Sequence, residues 1–261
     1  MKCIDISLDR LEQDGWVANQ ARMWLASHWA VRRGADWRRG EDLFFTHLLD
    51  GSRAANRLGW QWTAGTATGR PYGFSRKQVE RRAPGLCRTC PLEAKCPIAD
   101  WPQHPDLRAT EATPQLRRDV DPGATAGPTQ VVRRHTPEAV WLTAESLGDD
   151  DPALAALPEL RAVFVFDEPL LRRLGLDGKR LIFLVETLAD LAQRRPLEIF
   201  RGRPEEVLIG RPVAATFAPV PGWRSKAAVI DLAEIHPWPW LRRPAEGSVA
   251  SFTAWRKGLA K

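Results

Sequence analysis

The chain has 261 residues, enough for two domains that each bury a core, and its 38 Lys+Arg against 32 Asp+Glu give a formal net charge of +6. No apolar run approaches the roughly 20 residues of a membrane span, and Met1-Lys2-Cys3-Ile4-Asp5 is no signal peptide, so a cytoplasmic protein without a membrane partner is expected. Arginine dominates the basic excess and suits planar contact with phosphate, which makes nucleic acid a natural partner; twelve tryptophans stand beside a single tyrosine, Tyr72.

In chain order, "WVANQARMWLASHWAVRR" (16–33) carries apolar residues at helical spacing and stops at Gly34. "GEDLFFTHLLDG" (40–51) predicts a second helix closed by Gly51, and "SRAANRLGWQW" (52–62) a third, shorter one. "TAGTATGRP" (63–71) reads as loop and "SRKQVERRAPG" (75–85) as a short basic helix. From 101 to 130 prolines and glycines interrupt every period, the mark of a linker. Beyond it, "AVWLTA" (139–144), "RAVFVFD" (161–167), "PLEIFRG" (196–202) and "PVAATFA" (212–218) read as buried strands. The helical stretches "PALAAL" (152–157) and "GKRLIFLVETLADLAQR" (178–194) lie among them. The expected fold class is α plus α/β: a helical domain over 1–100, a linker over 101–133, and an α/β domain with a parallel sheet over 134–261. No Gly-rich phosphate loop of the dinucleotide type is present.

"LCRTCPLEAKCPI" (86–98) holds Cys87, Cys90 and Cys96, and the only other cysteine is Cys3. In a cytosolic chain clustered cysteines bind metal more often than they form disulfides. One C-x2-C knuckle, one nearby cysteine and one remote one suit a group that clips a chain end to a loop, and proline after cysteine is frequent beside iron–sulfur clusters. The reading favours a [4Fe–4S] cluster, with zinc as the alternative metal and a metal-free set as the third case.

"LLDGSRAANRLGWQW" (48–62) resembles the flavin-binding core of the photolyase/cryptochrome family, and "NQARMWLASHWAVRRGADWRRGEDLF" (19–44) is similar to that family's N-x-x-R-M…D-W-R-x-G-E segment. The cysteines resemble those of its iron–sulfur branch. The resemblance implies FAD bound by Asn19, Arg22, Asp50, Ser52, Asn56 and Trp60, with Asn56 facing flavin N5 and Arg22–Asp50 as a charge pair at the ring edge. Ser52 stands where the family carries a second aspartate. The resemblance further implies that Trp60 and Trp37 begin a tryptophan electron relay, making Asn56, Trp60 and Trp37 the catalytic set. Asn19, Met23 and Trp62 would receive a flipped-out DNA lesion, and Cys3, Cys87, Cys90 and Cys96 would hold the cluster. Trp16, Trp24 and Trp29 match no motif of the family and are assigned to packing.

"AVWLTAESLGDDDPALAAL…RAVFVFDEPLL" and "SVASFTAWRKGL" are similar to the opening and closing of the family's α/β antenna domain, here placed after the helical part. The family segment that grips the flavin phosphates has no counterpart, so flavin would be completed by the α/β domain or by a second copy in a homodimer, or would be absent. The implied function is light-driven repair of pyrimidine dimers in DNA by reduced FAD. The alternative is a non-catalytic iron–sulfur DNA-binding or light-signalling protein, and a small zinc-stabilised structural domain is a third reading.

Overall fold

A computed structural model describes residues 1–66, 69–99, 101, 119–244, 246–249 and 252–258. The chain divides into two compact units, residues 1–115 with 176–181, and 116–175 with 182–261.

The first unit opens with α1 (Lys2–Asp14), to which the sequence reading assigned no element. It buries Cys3, Ile4, Ser7 and Leu11 on one face and ends at Gly15, whose φ of 65° is open to glycine without strain. The single helix expected over 16–33 is two segments: α2 (Asn19–Ala26) and a π-helical turn (Ser27–Arg32), in which Arg33 N–H donates to His28 O at 3.0 Å, five residues back. α3 (Trp37–His47) starts earlier than the expected 40–51 because Asp36 caps it, accepting from Arg38 N–H at 3.0 Å. Ser52 caps α4 (Arg53–Ala64), and Ser75 with Gln78 forms a reciprocal capping box on α5 (Arg76–Arg82). Two 3-10 turns, Cys87–Thr89 and Glu93–Lys95, follow. Leu11, Leu48, Phe74, Val79 and Ile98 are buried at the centre of this unit, where Trp24 stacks on Phe74 with ring centroids 5.8 Å apart.

Part of the expected linker over 101–133 lies outside the described residues, at 102–118. Its remainder carries a one-turn helix α6 (Pro122–Ala126) and a short strand β1 (Val132–Arg133). The chain continues with β2 (Ala139–Leu142), α7 (Pro152–Ala156), β3 (Ala162–Asp167), α8 (Glu168–Leu174), α9 (Gly178–Ala192, of which 178–181 belong to the first unit), β4 (Leu197–Gly202), α10 (Pro204–Val207), β5 (Val213–Thr216), α11 (Trp223–Ala227), β6 (Leu232–His236) and α12 (Phe252–Gly258). The sheet order is β1-β6-β5-β2-β3-β4, parallel throughout except that β1 pairs antiparallel with β6. The sheet is therefore mixed and mostly parallel.

Its central strands are apolar on both faces, as a sheet covered on both sides requires. Trp141, Val163 and Ala215 pack into one core, and Val140, Leu142, Phe164 and Ala214 into another with Leu188 and Leu191. β2 is where the strand order reverses, and a crevice of about 130 Å³ opens at the carboxyl ends there, between Thr143, Phe166 and Trp223. Lys226 and Asp167 at its edge neutralise each other across 2.5 Å.

Candidate functional site

α4 places Asn56 and Trp60 one turn apart on its buried face. Asn56 is 8% and Trp60 3% exposed, and neither the Asn56 amide Nδ2 nor the Trp60 indole Nε1 has a hydrogen-bond partner. A buried donor left unpaired costs about 1–3 kcal/mol, so two within one turn of a well-packed helix is a costly arrangement for the ligand-free protein. An acceptor-bearing ligand would remove that cost. The Trp60 ring meets Phe44 of α3 edge-on, with centroids 5.0 Å apart at 75°.

Arg22 Nη2 donates to both carboxylate oxygens of Asp50 at 3.0 Å, while its Nε donates to Val17 O at 2.7 Å. The guanidinium is thus fixed from two sides, although Asp50 itself stays open to solvent. Ser52 spends its hydroxyl on the α4 cap, accepting from Ala55 N–H at 3.4 Å.

Asn19 opens α2, and its Nδ2 reaches Met23 Sδ at 4.0 Å one turn later. Trp62 is exposed and leans on Tyr72, with centroids 5.2 Å apart. Tyr72 Oη accepts from Gln20 Nε2 at 3.1 Å, which ties the Trp62 end of α4 to the helix carrying Asn19 and Met23. Gln20 and Tyr72 were missed in the sequence because they stand 52 residues apart and no local pattern joins them.

Trp37 is the first residue of α3, with the Arg38 guanidinium 4.5 Å above its ring. Among the described residues the ring against Trp60 is Phe44, two turns further along α3, and no ring contact joins Trp37 to Trp60. The packing assignment holds for Trp24, which is buried, and fails for Trp16, whose ring is 53% exposed.

The four cysteines line one pocket together with Arg76, Leu86 and Ile98. All four are free thiols, and Cys3 comes from α1 while the others come from the two 3-10 turns and their flanks. Glu80 shapes this loop by accepting the N–H of Gly85 at 2.9 Å and of Cys87 at 3.0 Å, and Lys2 Nζ donates to Thr89 Oγ1 at 2.7 Å. Burial, followed by the neighbouring Glu80 carboxylate, pushes the Cys87 thiol up to about 11, and burial raises that of Cys3. The Cys90 thiol is lowered, chiefly by the Lys2 backbone N–H. The pocket has a free volume of about 10 Å³, room for little more than one water. Among the described residues no group of three or more His, Cys, Asp or Glu side chains is arranged to hold a single metal ion.

Residues 1–79 match the family model described as the FAD binding domain of DNA photolyase. The chain is 44% identical over 70 residues to a deoxyribodipyrimidine photo-lyase of Vibrio cholerae, which covers 26% of this chain and 15% of the relative. It is 43% identical over 65 residues to the deoxyribodipyrimidine photo-lyase of Escherichia coli, covering 25% and 14%, and 40% identical over 72 residues to a cryptochrome DASH, chloroplastic/mitochondrial, of Ostreococcus tauri, covering 28% and 13%. The chain thus spans only about one seventh of the length of the curated relatives it matches. No solved structure matches.

Proposed function

We propose that this chain, which is related through residues 1–79 to the photolyase/cryptochrome family, is a photolyase-like flavoprotein acting on DNA by light-driven electron transfer. The observation that carries the reading is the pair of orphaned donors, Asn56 Nδ2 and Trp60 Nε1, on one buried turn of α4. Both await an acceptor of the kind a flavin ring edge carries.

FAD, when bound, supplies the light-absorbing ring and the electron. Asn56 offers its amide to the ring at N5. Arg22, held by Val17 and Asp50, keeps a fixed cation beside the site, and a fixed cation favours the reduced anionic ring. Asn19 and Ser52 would complete the contacts, and Trp60 and Trp37 would be the first two steps of the electron relay to the flavin. Met23, Asn19 and the exposed Trp62 form the surface for an unstacked base, with Trp62 as the stacking platform. The net charge of +6 suits the phosphate backbone. A second copy of the chain would complete the flavin site, with 1–100 as the flavin domain, 101–133 as the linker and 134–261 as the α/β domain.

Cys3, Cys87, Cys90 and Cys96 hold a [4Fe–4S] cluster in this reading. All-thiol donors suit soft metals and clusters. Zinc, the alternative metal, would need four sulfurs at about 2.3 Å from one point, whereas a cluster would spread them over four irons. Binding would widen the pocket and release the thiol protons.

The test is anaerobic reconstitution with FAD and iron, followed by blue-light treatment of an oligonucleotide containing a pyrimidine dimer. Flavin absorbance with dimer cleavage is expected. Iron uptake and DNA binding without flavin would instead establish the non-catalytic iron–sulfur reading, which the solvent-open Asp50 carboxylate favours. Retention of neither cofactor overturns both.

A further inference from the structure

The helical unit contains a second space of about 510 Å³, a partly open pocket lined by α1, the π-turn, α3 and α4. Apart from Trp60 it shares no residue with those assigned to flavin, DNA or metal, and three of its walls are the rings of Trp29, Phe44 and Trp60. Its polar groups are Glu12, His28 and Arg33. We propose that this cavity binds a small planar aromatic acid, with its ring among Trp29, Phe44 and Trp60 and its carboxylate toward His28 and Arg33.

Size and lining both point to a ligand. Small-molecule pockets run to about 300–1,000 Å³ and are mostly apolar with a few placed polar groups, and an apolar cavity as small as about 150 Å³ stays dry and takes up benzene. Aromatic walls prefer a flat partner, which they meet stacked or edge-on.

The polar groups select the acid. A guanidinium can only donate, so His28 Nδ1, 3.4 Å from Arg32 Nη1, is the acceptor of that pair and Nε2 carries the ring proton. Burial, then Arg32 and Arg33, lowers the His28 pKa to about 4 and keeps the ring neutral. The His28 Nε2–H and the Arg33 guanidinium are thus donor groups on side chains that line the cavity. Of the charged side chains in the lining, Arg33 is the cation and the exposed Glu12 the anion, and Arg32 stands behind His28 at 3.4 Å.

The walls are also fixed in advance. Trp29 Nε1 donates to Asp36 O at 2.9 Å, and Ser27 Oγ donates to Tyr72 O at 2.6 Å, pinning the π-turn that carries both Trp29 and His28. Single π-turns within helices are frequent at functional sites. This inference does not rest on flavin binding.

The test titrates the full chain with 1-naphthoate and with uncharged 1-naphthamide, by calorimetry and tryptophan fluorescence. Saturable one-to-one binding of naphthoate is expected, with the amide about fivefold weaker because Arg33 is exposed. Arg33→Gln should erase that preference while leaving amide binding intact. Leu43→Trp should fill the cavity and abolish binding of both; Leu8→Trp serves if the first variant does not fold. Intermolecular NOEs from bound naphthoate to the Trp29 or Phe44 ring protons are required in either case. No saturable binding, undiminished binding in a folded filled variant, equal affinity for acid and amide, or absence of those NOEs would each overturn the proposal.

Discussion

Gly40 lies directly beneath the indole of Trp60: a Cβ at residue 40 would fall 2.1 Å from Cη2 and 2.5 Å from Cζ3. Glycine inside a helix costs about 1 kcal/mol relative to alanine, so the space matters more here than the propensity. Gly40→Ala should push Trp60 off its seat and destabilise the first unit by about 1–3 kcal/mol. Urea unfolding followed by tryptophan emission measures this, and a variant as stable as the parent would mean the ring is free to move.

Asn56 presents the opposite case. Its amide Nδ2 is buried without a partner, so Asn56→Leu removes an unsatisfied group and should leave the ligand-free protein equally stable or up to about 1 kcal/mol more stable. The same change should abolish FAD retention. Gain of stability with loss of cofactor is the signature of a residue kept for binding. Loss of stability in the cofactor-free form would mark Asn56 as structural.

Glu41 is 1% exposed and is met by Arg53 Nη1 at 3.2 Å and Arg57 Nη2 at 3.3 Å, both from α4. The arginines reach water and the carboxylate does not, so removal is asymmetric. Arg53→Leu combined with Arg57→Leu leaves a buried unpaired charge and should cost about 3–5 kcal/mol, whereas Glu41→Gln leaves Arg53 on Asp42 and Arg57 in solvent and should cost about 1 kcal/mol. Thermal unfolding of both variants decides the order, and the reverse order would mean that Glu41 is solvated.

The helices that carry Asn56 and Trp60 were legible because their apolar residues keep a 3.6-residue period. α1 was not, since only Cys3, Ile4, Ser7 and Leu11 face inward among many charged residues. The π-turn is invisible to such a pattern because one extra residue in a single turn barely shifts the apolar spacing. β2 to β5 stood out as apolar runs. β6 did not, because its sequence LAEIH buries Glu234 and His236, which pair with each other at 3.1 Å. β1 is two exposed residues defined only by its partner, so the antiparallel edge could not be read from local pattern. Site residues one turn apart were legible; the Gln20–Tyr72–Trp62 link, made by tertiary packing, was not.

His28 makes stability depend on pH. Its folded pKa is lowered from 6.5 to about 4 by burial first, then Arg32, Arg33 and the N-terminal ammonium, with Asp5 opposing. Between pH 4 and 6.5 the unfolded chain therefore binds more protons than the folded one, so stability falls as pH falls through that window and is fully present above it. His28→Gln should flatten this slope in a plot of Tm against pH. An unchanged slope would mean that other groups set it.

Cys3 and Cys87 stand 84 positions apart, yet both line the one sulfur pocket, so a group bound by both closes a long loop in the folded protein. Loop closure on that scale, added to metal–thiolate bonding that the unfolded chain cannot match, makes binding free energy into folding free energy. In the metal-free protein Cys90→Ser should change little, because Cys90 Sγ accepts the Leu92 N–H at 3.4 Å and meets the Lys2 backbone N–H, contacts that serine can reproduce. After reconstitution with iron and sulfide the parent should melt several degrees higher than before, and Cys90→Ser should lose most of that gain. The difference between reconstituted and metal-free Tm, taken for parent and variant, isolates the metal from the side-chain change. A parent that takes up no iron, or a variant that gains as much as the parent, would leave the four thiols as packing alone.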